Sequence, residues 1–373
     1  MISSLGFGIE ESMTKLFEGK SGSRLIDDKS LYHEPFFASK IDNIRFEKNF
    51  ENLFPQIQNK YTFFEQLLLF VIQKSLYQFP IDCKSDETLL IISSTKGNID
   101  LLSENHKSKW EKERVFLWKS AQIIQDFFEL KNEVAVLSNA CISGVEAISI
   151  GSRLIRSGKY KNVIVAGADI LSEFVIAGFQ SFQSLSPEIC KAFDRDRNGL
   201  NLGEAAASVI LTTDAFPSDI EILGSGVSND ANHISGPSRT GDGLFLAIQS
   251  ALIESKISSK EIDFISAHGT ATVFNDEMEA KAFQLAGLEH APVNSLKGYW
   301  GHTLGAAGLI ESIASIESMK ENRLIETLGY ENHGVSVEIK ITNICVKHSM
   351  NKILKTASGF GGTNAAIIFQ KNL

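Results

Sequence analysis

The sequence predicts a layered α/β fold: short apolar, β-branched runs alternate with stretches of helical spacing, and several of the runs end in glycine-flanked polar residues. With 373 residues and 43% hydrophobic content, the chain is long enough to bury a large core. The first strand candidate is TLLIISS at 88–94, followed by VAVL at 134–137, NVIVAGA at 162–168 and ASVILTT at 207–213. DFISAHG at 263–269 and AAIIF at 365–369 complete the series. Between the second and third of these, Ser143 and Gly144 followed by Val145, Ala147 and Ile148 open a packed helix. The connection DAFPS at 214–218 follows a strand and divides the chain into halves, 1–213 and 214–373. A helix-like stretch at 106–119 is dense in Lys107, Lys109, Lys112, Arg114 and Lys119, which reads as a solvated face or a docking patch.

Bulk properties exclude several function classes. A net charge of -9 argues against nucleic acid as a general partner and leaves room only for a local basic patch. The longest apolar run, at 66–72, is far too short to cross a bilayer, and no basic region precedes a hydrophobic segment at the start. The expectation is a cytoplasmic protein without a membrane partner. Cys83, Cys141, Cys190 and Cys345 stand far apart, so neither a disulfide framework nor a metal site is expected.

The candidate chemistry begins at VAVLSNACISGVEAI, 134–148, where Cys141 lies between an apolar run and a helix mouth. Unpaired backbone N–H groups at a helix start favour thiolate over thiol, although a buried structural cysteine fits the same pattern. Three further stretches deliver polar residues at strand ends, where open α/β sheets place their ligand sites. In DFISAHGTATVFNDEMEA, His268 follows the apolar run and is flanked by Gly269, Thr270 and Thr272. In VNSLKGYWGHTLGAAGLIESI, Lys297 and His302 precede a helix whose Gly305, Ala306, Ala307 and Gly308 permit tight packing. In TASGFGGTNAAIIF, Gly359, Gly361 and Gly362 surround Phe360. Either histidine taken alone is more often a satisfied structural residue than a catalyst. One cysteine with two histidines in separate glycine-rich loops is the pattern of a nucleophile and acid/base groups assembled in space.

The stretches NACISG, KAFDRDRNGLNLGEAAA, HGTATVFND, KGYWGHTLGAAG and GFGGTNAA, in this order, resemble the β-ketoacyl-acyl carrier protein synthases, the condensing enzymes of the thiolase fold. The resemblance runs from about Leu89 to the C-terminus, with FEGKSG at 17–22 similar to the family's opening. It implies a five-layered α-β-α-β-α fold of two similar halves and a dimer built around edge strands. It also implies acyltransferase activity: decarboxylative Claisen condensation of malonyl-acyl carrier protein with an acyl thioester on Cys141. His268 and His302 match the pair that holds the malonyl thioester carbonyl, and Lys297 matches an active-site lysine whose charge near His302 keeps that ring neutral. Glu311 matches the lysine's carboxylate partner, though with Ser315 and Ser318 it also forms a polar strip that would suit water. The backbone N–H groups of Cys141 and Phe360 match an oxyanion hole, Phe360 a gate, and Thr270, Thr272 and Gly361 substrate-binding positions. Asp194, Arg197 and Glu204 match a loop-ordering motif. No cofactor is implied beyond the phosphopantetheine arm carried by the acyl carrier protein, and a homodimer or a heterodimer with a related ketosynthase subunit is expected.

The chain departs from that pattern in places. It starts at MISSLGFG, without the apolar strand that commonly precedes the first glycine turn, which should leave an unpaired sheet edge. Asn139 stands where threonine is common, Ser358 where phenylalanine is, and 101–130 is unusually charged. These differences point to a specialised pathway making polyene or polyketide-like chains. A thiolase would need a second reactive cysteine, and neither Cys190 nor Cys345 lies in a glycine-rich loop. The remaining alternatives are a chain-length-shaping partner, which typically lacks the nucleophile, and a decarboxylating initiation subunit of a heterodimer.

Overall fold

The computed structural model describes residues 1–57, 59–103, 110–214 and 220–372. Most of the predicted connection DAFPS, together with Lys107 and Lys109 of the basic stretch, lies outside the described residues. The first half runs β1 (Ile2–Ser3), α1 (Ile9–Phe17), β2 (Arg24–Ile26), β3 (Phe36–Ser39), α2 (Asn43–Leu53), α3 (Phe63–Gln78), β4 (Thr88–Ser93), α4 (Leu117–Phe128), β5 (Ala135–Leu137), α5 (Ser143–Arg156), β6 (Asn162–Asp169), α6 (Glu173–Ser181), β7 (Leu202–Gly203) and β8 (Ala205–Thr212). The second runs β9 (Ile220–Asn229), α7 (Asp242–Ser255), β10 (Phe264–Ser266), α8 (Val273–Leu285), β11 (Pro292–Asn294), α9 (Lys297–Trp300), α10 (Ala307–Lys320), β12 (Arg323–Leu324), β13 (Lys340–Ile341), β14 (Val346–Lys347), β15 (Lys352–Gly359) and β16 (Thr363–Lys371).

Two large sheets carry the fold, one from each half: β1-β8-β6-β4-β5 and β13-β11-β10-β15-β16-β9. Read from β1 and from β9, both sheets show the same succession, two antiparallel pairings followed by parallel ones. Helices α5 and α10 pack on each other between the sheets, α3 covers the far face of the first, and α7 with α8 that of the second. The result is the five-layered thiolase-like arrangement. β4 is buried along its whole length and β6 along nearly all of its own, which explains their almost unbroken apolar runs.

The crossing of the two central helices sets the site. A Cβ on Gly144 of α5 would stand 2.6 Å from the backbone N of Leu309, and one on Gly308 of α10 would stand 2.7 Å from the N of Val145. Only glycine lets these backbones approach so closely. The turns before the two helices, carrying Cys141 and His302, are thereby brought together.

Three sequence expectations change. The stretch at 106–119 is not one helix, because α4 begins only at Leu117, after a short 3-10 turn at Lys112–Val115. Arg114 there ion-pairs at 2.6 Å with the fully buried Glu65, so its charge is internal and not part of a solvated face. β1 supplies a two-residue edge, Ile2 opposite Ala206 and Ser3 opposite Ala205. Beyond it, an apolar groove of about 570 Å³ lined by Val209, Leu211, Ile313 and Ile316 follows the outer edge of β8. Among the described residues no helix is long and apolar enough to cross a membrane.

Candidate active site

Cys141 follows β5 across a strained turn in which Ala140 takes φ 45°. It precedes the first residue of α5 by two positions and is buried, 7% exposed. His302 lies before α10, and its Nε2 is 3.0 Å from the Cys141 sulfur. His268 comes from the end of β10, and its ring meets that of His302 edge to face, with centroids 5.1 Å apart. The sulfur and one ring nitrogen from each histidine all lie within 4.8 Å of one another. Three loops distant in the chain therefore converge on one point.

That point opens into a cavity of about 460 Å³, whose lining includes Thr270, Thr272, Gly359, Phe360 and Gly362. The Thr270 and Thr272 hydroxyls are hydrogen-bonded at 2.8 Å. Phe360 sits at the tip of the β15–β16 hairpin, stacked on Phe179 and edge-on to Phe182, and is partly exposed. Its backbone amide lies close enough to the Cys141 sulfur to favour the thiolate. Gly361 does not line the cavity: its left-handed backbone turns it outward, where its N–H donates to the Ile234 carbonyl, and Gly359 and Gly362 take the inner positions. The residues before the hairpin tip form strand β15, which is absent from the apolar runs that the sequence offers. Lys355, Thr356 and Ser358 interrupt the apolar pattern there although all three are buried.

Lys297 is fully buried and touches His268, while its charge also lowers the His302 ring, as expected. Its Nζ lies 3.3 Å from His268 Nδ1 and also donates to the His268 carbonyl. An ammonium there can only donate, so Nδ1 accepts and the ring hydrogen sits on Nε2. Glu311 Oε1 receives the same ammonium at 2.8 Å. Glu311 with Ser315 and Ser318 is buried, so that strip of α10 faces protein and not water. Burial first, and the Lys297 charge second, hold both histidines well below the usual imidazole range, so both are neutral. Burial also pushes the Cys141 thiol up to about 11, against the opposing pull of Lys297 and the Phe360 amide. The helix start therefore does not leave a resting thiolate, and the sulfur needs a base as it attacks. His302 is placed to be that base.

Sequence reasoning passed over three carboxylates that hold these loops. Glu279 accepts from the N–H groups of His268 and Gly269 at 2.8 and 2.6 Å, and Asp276 from Phe193 and Thr270 at 2.7 and 3.0 Å. Asp169 accepts from Gly305 at 2.7 Å, tying the end of β6 to the turn after His302. Their signal was an acidic residue six (Glu279) or three (Asp276) positions beyond the start of a helix that follows a glycine turn, or one closing an apolar strand (Asp169). Asp194, Arg197 and Glu204 bind backbone groups: Glu204 takes the N–H groups of Ile41 and Leu171, and Arg197 donates to the Asp194 and Gly334 carbonyls. Asn139 is held by Glu146 at 2.8 Å, and Ser358 lines the cavity.

Residues 1–215 match the family model described as beta-ketoacyl synthase, N-terminal domain, and residues 220–331 match the corresponding C-terminal domain. Among curated relatives, 3-oxoacyl-[acyl-carrier-protein] synthase 2 of Rhizobium meliloti is 34% identical over 250 residues, 62% of this chain and 59% of the relative. The matches to the first such relatives span about three fifths of their length. A beta-ketoacyl synthase from Burkholderia phymatum superposes with a TM-score of 0.88 at 24% identity, covering 100% of this chain and 97% of that one. A ketosynthase in complex with its chain length factor from Xenorhabdus doucetiae gives 0.82 at 26% identity, covering 99% and 96%.

Proposed function

Because the chain belongs to the β-ketoacyl synthase family, we propose that it catalyses decarboxylative Claisen condensation of malonyl-acyl carrier protein with an acyl chain held as a thioester on Cys141. The observation that carries this reading is the convergence of the Cys141 sulfur with a ring nitrogen from each of His268 and His302 in one cavity, with the Phe360 amide close to the sulfur. Attack of the sulfur on an acyl thioester passes the thiol proton to His302 Nε2 and from there to the departing carrier thiolate. Malonyl then enters and loses CO₂. The electron pair of the broken C–C bond becomes an enolate, whose oxygen is stabilised by the Nε2–H of neutral His268 and by that of His302 once its ring hydrogen has moved from Nδ1 to Nε2. The enolate carbon attacks the acyl thioester, whose oxygen is held by the amides of Cys141 and Phe360, and the collapsing intermediate expels Cys141 as a thiolate that takes a proton from solvent water. Neutral rings suit this step, because an imidazolium would protonate the enolate carbon.

The phosphopantetheine arm of the carrier reaches the sulfur past Thr270 and Thr272, and Phe360 swings to admit first acyl and then malonyl. A specialised polyene or polyketide-type pathway is supported by the likeness to a ketosynthase that works with a chain length factor and by Asn139 and Ser358 near the pocket. A second ketosynthase-fold subunit, identical or related, is supported by β5, which pairs only with β4 among the described residues, and by the exposed Phe116, Trp118, Phe174 and Phe182. The proposal places the enzyme in the cytoplasm with its carrier protein.

Intact-mass measurement after incubation with a panel of acyl-carrier proteins, followed by malonyl-carrier protein, tests this. An adduct that Cys141→Ala abolishes, discharged into a chain two carbons longer, is the expected result. Decarboxylation of malonyl without any adduct would instead identify an initiation subunit.

A further inference from the structure

The site holds a second buried lysine that the mechanism above does not use. Lys355 lies in the middle of β15 between Leu354 and Thr356 and is fully buried. Its Nζ donates to the carbonyls of Ser266 and Ala267 at 3.2 and 3.1 Å, the two residues that immediately precede His268. It also ion-pairs at 2.7 Å with Glu311 Oε2, while Oε1 of the same carboxylate binds Lys297. An unbroken chain thus runs from Lys355 through Glu311 and Lys297 to His268 Nδ1. Desolvating a lysine and a glutamate costs several kcal/mol each, and an apolar side chain would be cheaper in a strand flanked by Ile353, Leu354 and Ala357. The cation therefore needs a reason other than stability.

We propose that Lys355 is a positioning residue for the decarboxylation step: its ammonium clamps Glu311 and the carbonyls before His268, so that Lys297 stays on Nδ1 and His268 presents Nε2–H to the malonyl oxygen. Without the clamp, both Glu311 oxygens are free to draw Lys297 away from the ring, and the imidazole loses the partner that selects its tautomer. The groups that face Lys355 are Glu311 from α10, Lys297 from α9 and Glu279 from α8, two anions and one further cation. Removing one positive charge leaves this set net negative. Imidazolium then forms more readily at His268, whose neutrality owes part of its support to Lys355. The charge of Lys355 also helps to hold the His302 ring neutral, but only His268 has its position and tautomer set by this chain of contacts, so the Cys141–His302 pair keeps its geometry for acylation.

This inference rests on the condensing reading, and the test separates the two. Lys355→Met preserves length and removes charge. Acylation of Cys141, followed by intact mass, should stay within about threefold of the unmodified protein, since oxyanion donors in that half-reaction are untouched. Malonyl decarboxylation and condensation should fall about 100-fold, the order expected for one misplaced donor, and the acid limb of the pH profile should move to higher pH. An equal fall in both half-reactions, or an unchanged acid limb, overturns the assignment. Should the methionine variant fail to fold, Lys355→Ala with added ethylammonium reads the same point: recovery of decarboxylation by ethylammonium, and not by ethanol, supports the clamp, and no recovery refutes it. Absence of malonyl decarboxylation in the unmodified protein would overturn the condensing reading instead.

Discussion

Gly144→Ala is the sharpest probe of how the fold sets the catalytic distance. The new Cβ would stand 2.6 Å from the N of Leu309 and 3.0 Å from the Gly305 carbonyl oxygen, whereas ordinary contact begins at 3.4 Å. Both obstacles are backbone, so neither can rotate aside. One helix start must move by about 0.8 Å relative to the other in a close-packed interior. Cys141 rides on one of those starts and His302 on the other, and their 3.0 Å contact has no such slack. Overpacking of this kind costs about 1–3 kcal/mol of stability, and a misplacement near 1 Å slows a reaction by up to about 100-fold. Acylation of Cys141 should therefore slow by about 10- to 100-fold, measured by quenched-flow intact mass, and the urea midpoint should fall. Gly178→Ala, in α6 where a Cβ meets nothing within 4 Å, should hold or raise stability, by up to about 1 kcal/mol. An unchanged acylation rate and midpoint in Gly144→Ala would show that the helix crossing does not set the cysteine–histidine distance.

Three further outcomes are expected. Alkylation of Cys141 by iodoacetamide should keep rising with pH toward about 11, where burial places the thiol, and a plateau by pH 8 would contradict the neutral cysteine–histidine pair. Glu204 is raised by burial from 4.5 to about 7. Between those values the folded state holds a proton that the unfolded state has lost, so this group's contribution to stability declines as pH rises through the window. Glu204→Gln should flatten the dependence of the urea midpoint between pH 5 and pH 7, and an unaltered slope would assign that proton elsewhere. Arg114→Met leaves Glu65 buried without its ion pair and should cost about 3–5 kcal/mol, read by urea denaturation; a change below about 1 kcal/mol would restore the solvated-face reading of 106–119.

Six of the sixteen strands among the described residues, β4, β5, β6, β8, β10 and β16, were legible, because a strand buried on both faces needs a nearly continuous apolar run and the chain supplies one at β4, β6 and β16. β15 was not, because Lys355, Thr356 and Ser358 look exposed until their partners are known. The duplicated architecture was equally invisible residue by residue, since two sheets can share an order of pairing without sharing side chains. Cys141, His268 and His302 stood out together because each lies in a turn beside glycine, the first two after a strand and the third before a helix, a local pattern that a linear reading can detect.

What the sequence determined by itself was therefore the identity of the reactive groups, the loops that carry them and the alternation that builds an α/β fold. Tertiary structure alone decided which histidine Lys297 touches, that Glu311 bridges two lysines, that Gly361 turns outward and that the Cys141 thiol keeps its proton. The physical reason is that charge state and hydrogen-bond partnership depend on burial and on neighbours from other elements. Those neighbours meet only when α5 and α10 cross on glycine between the two sheets.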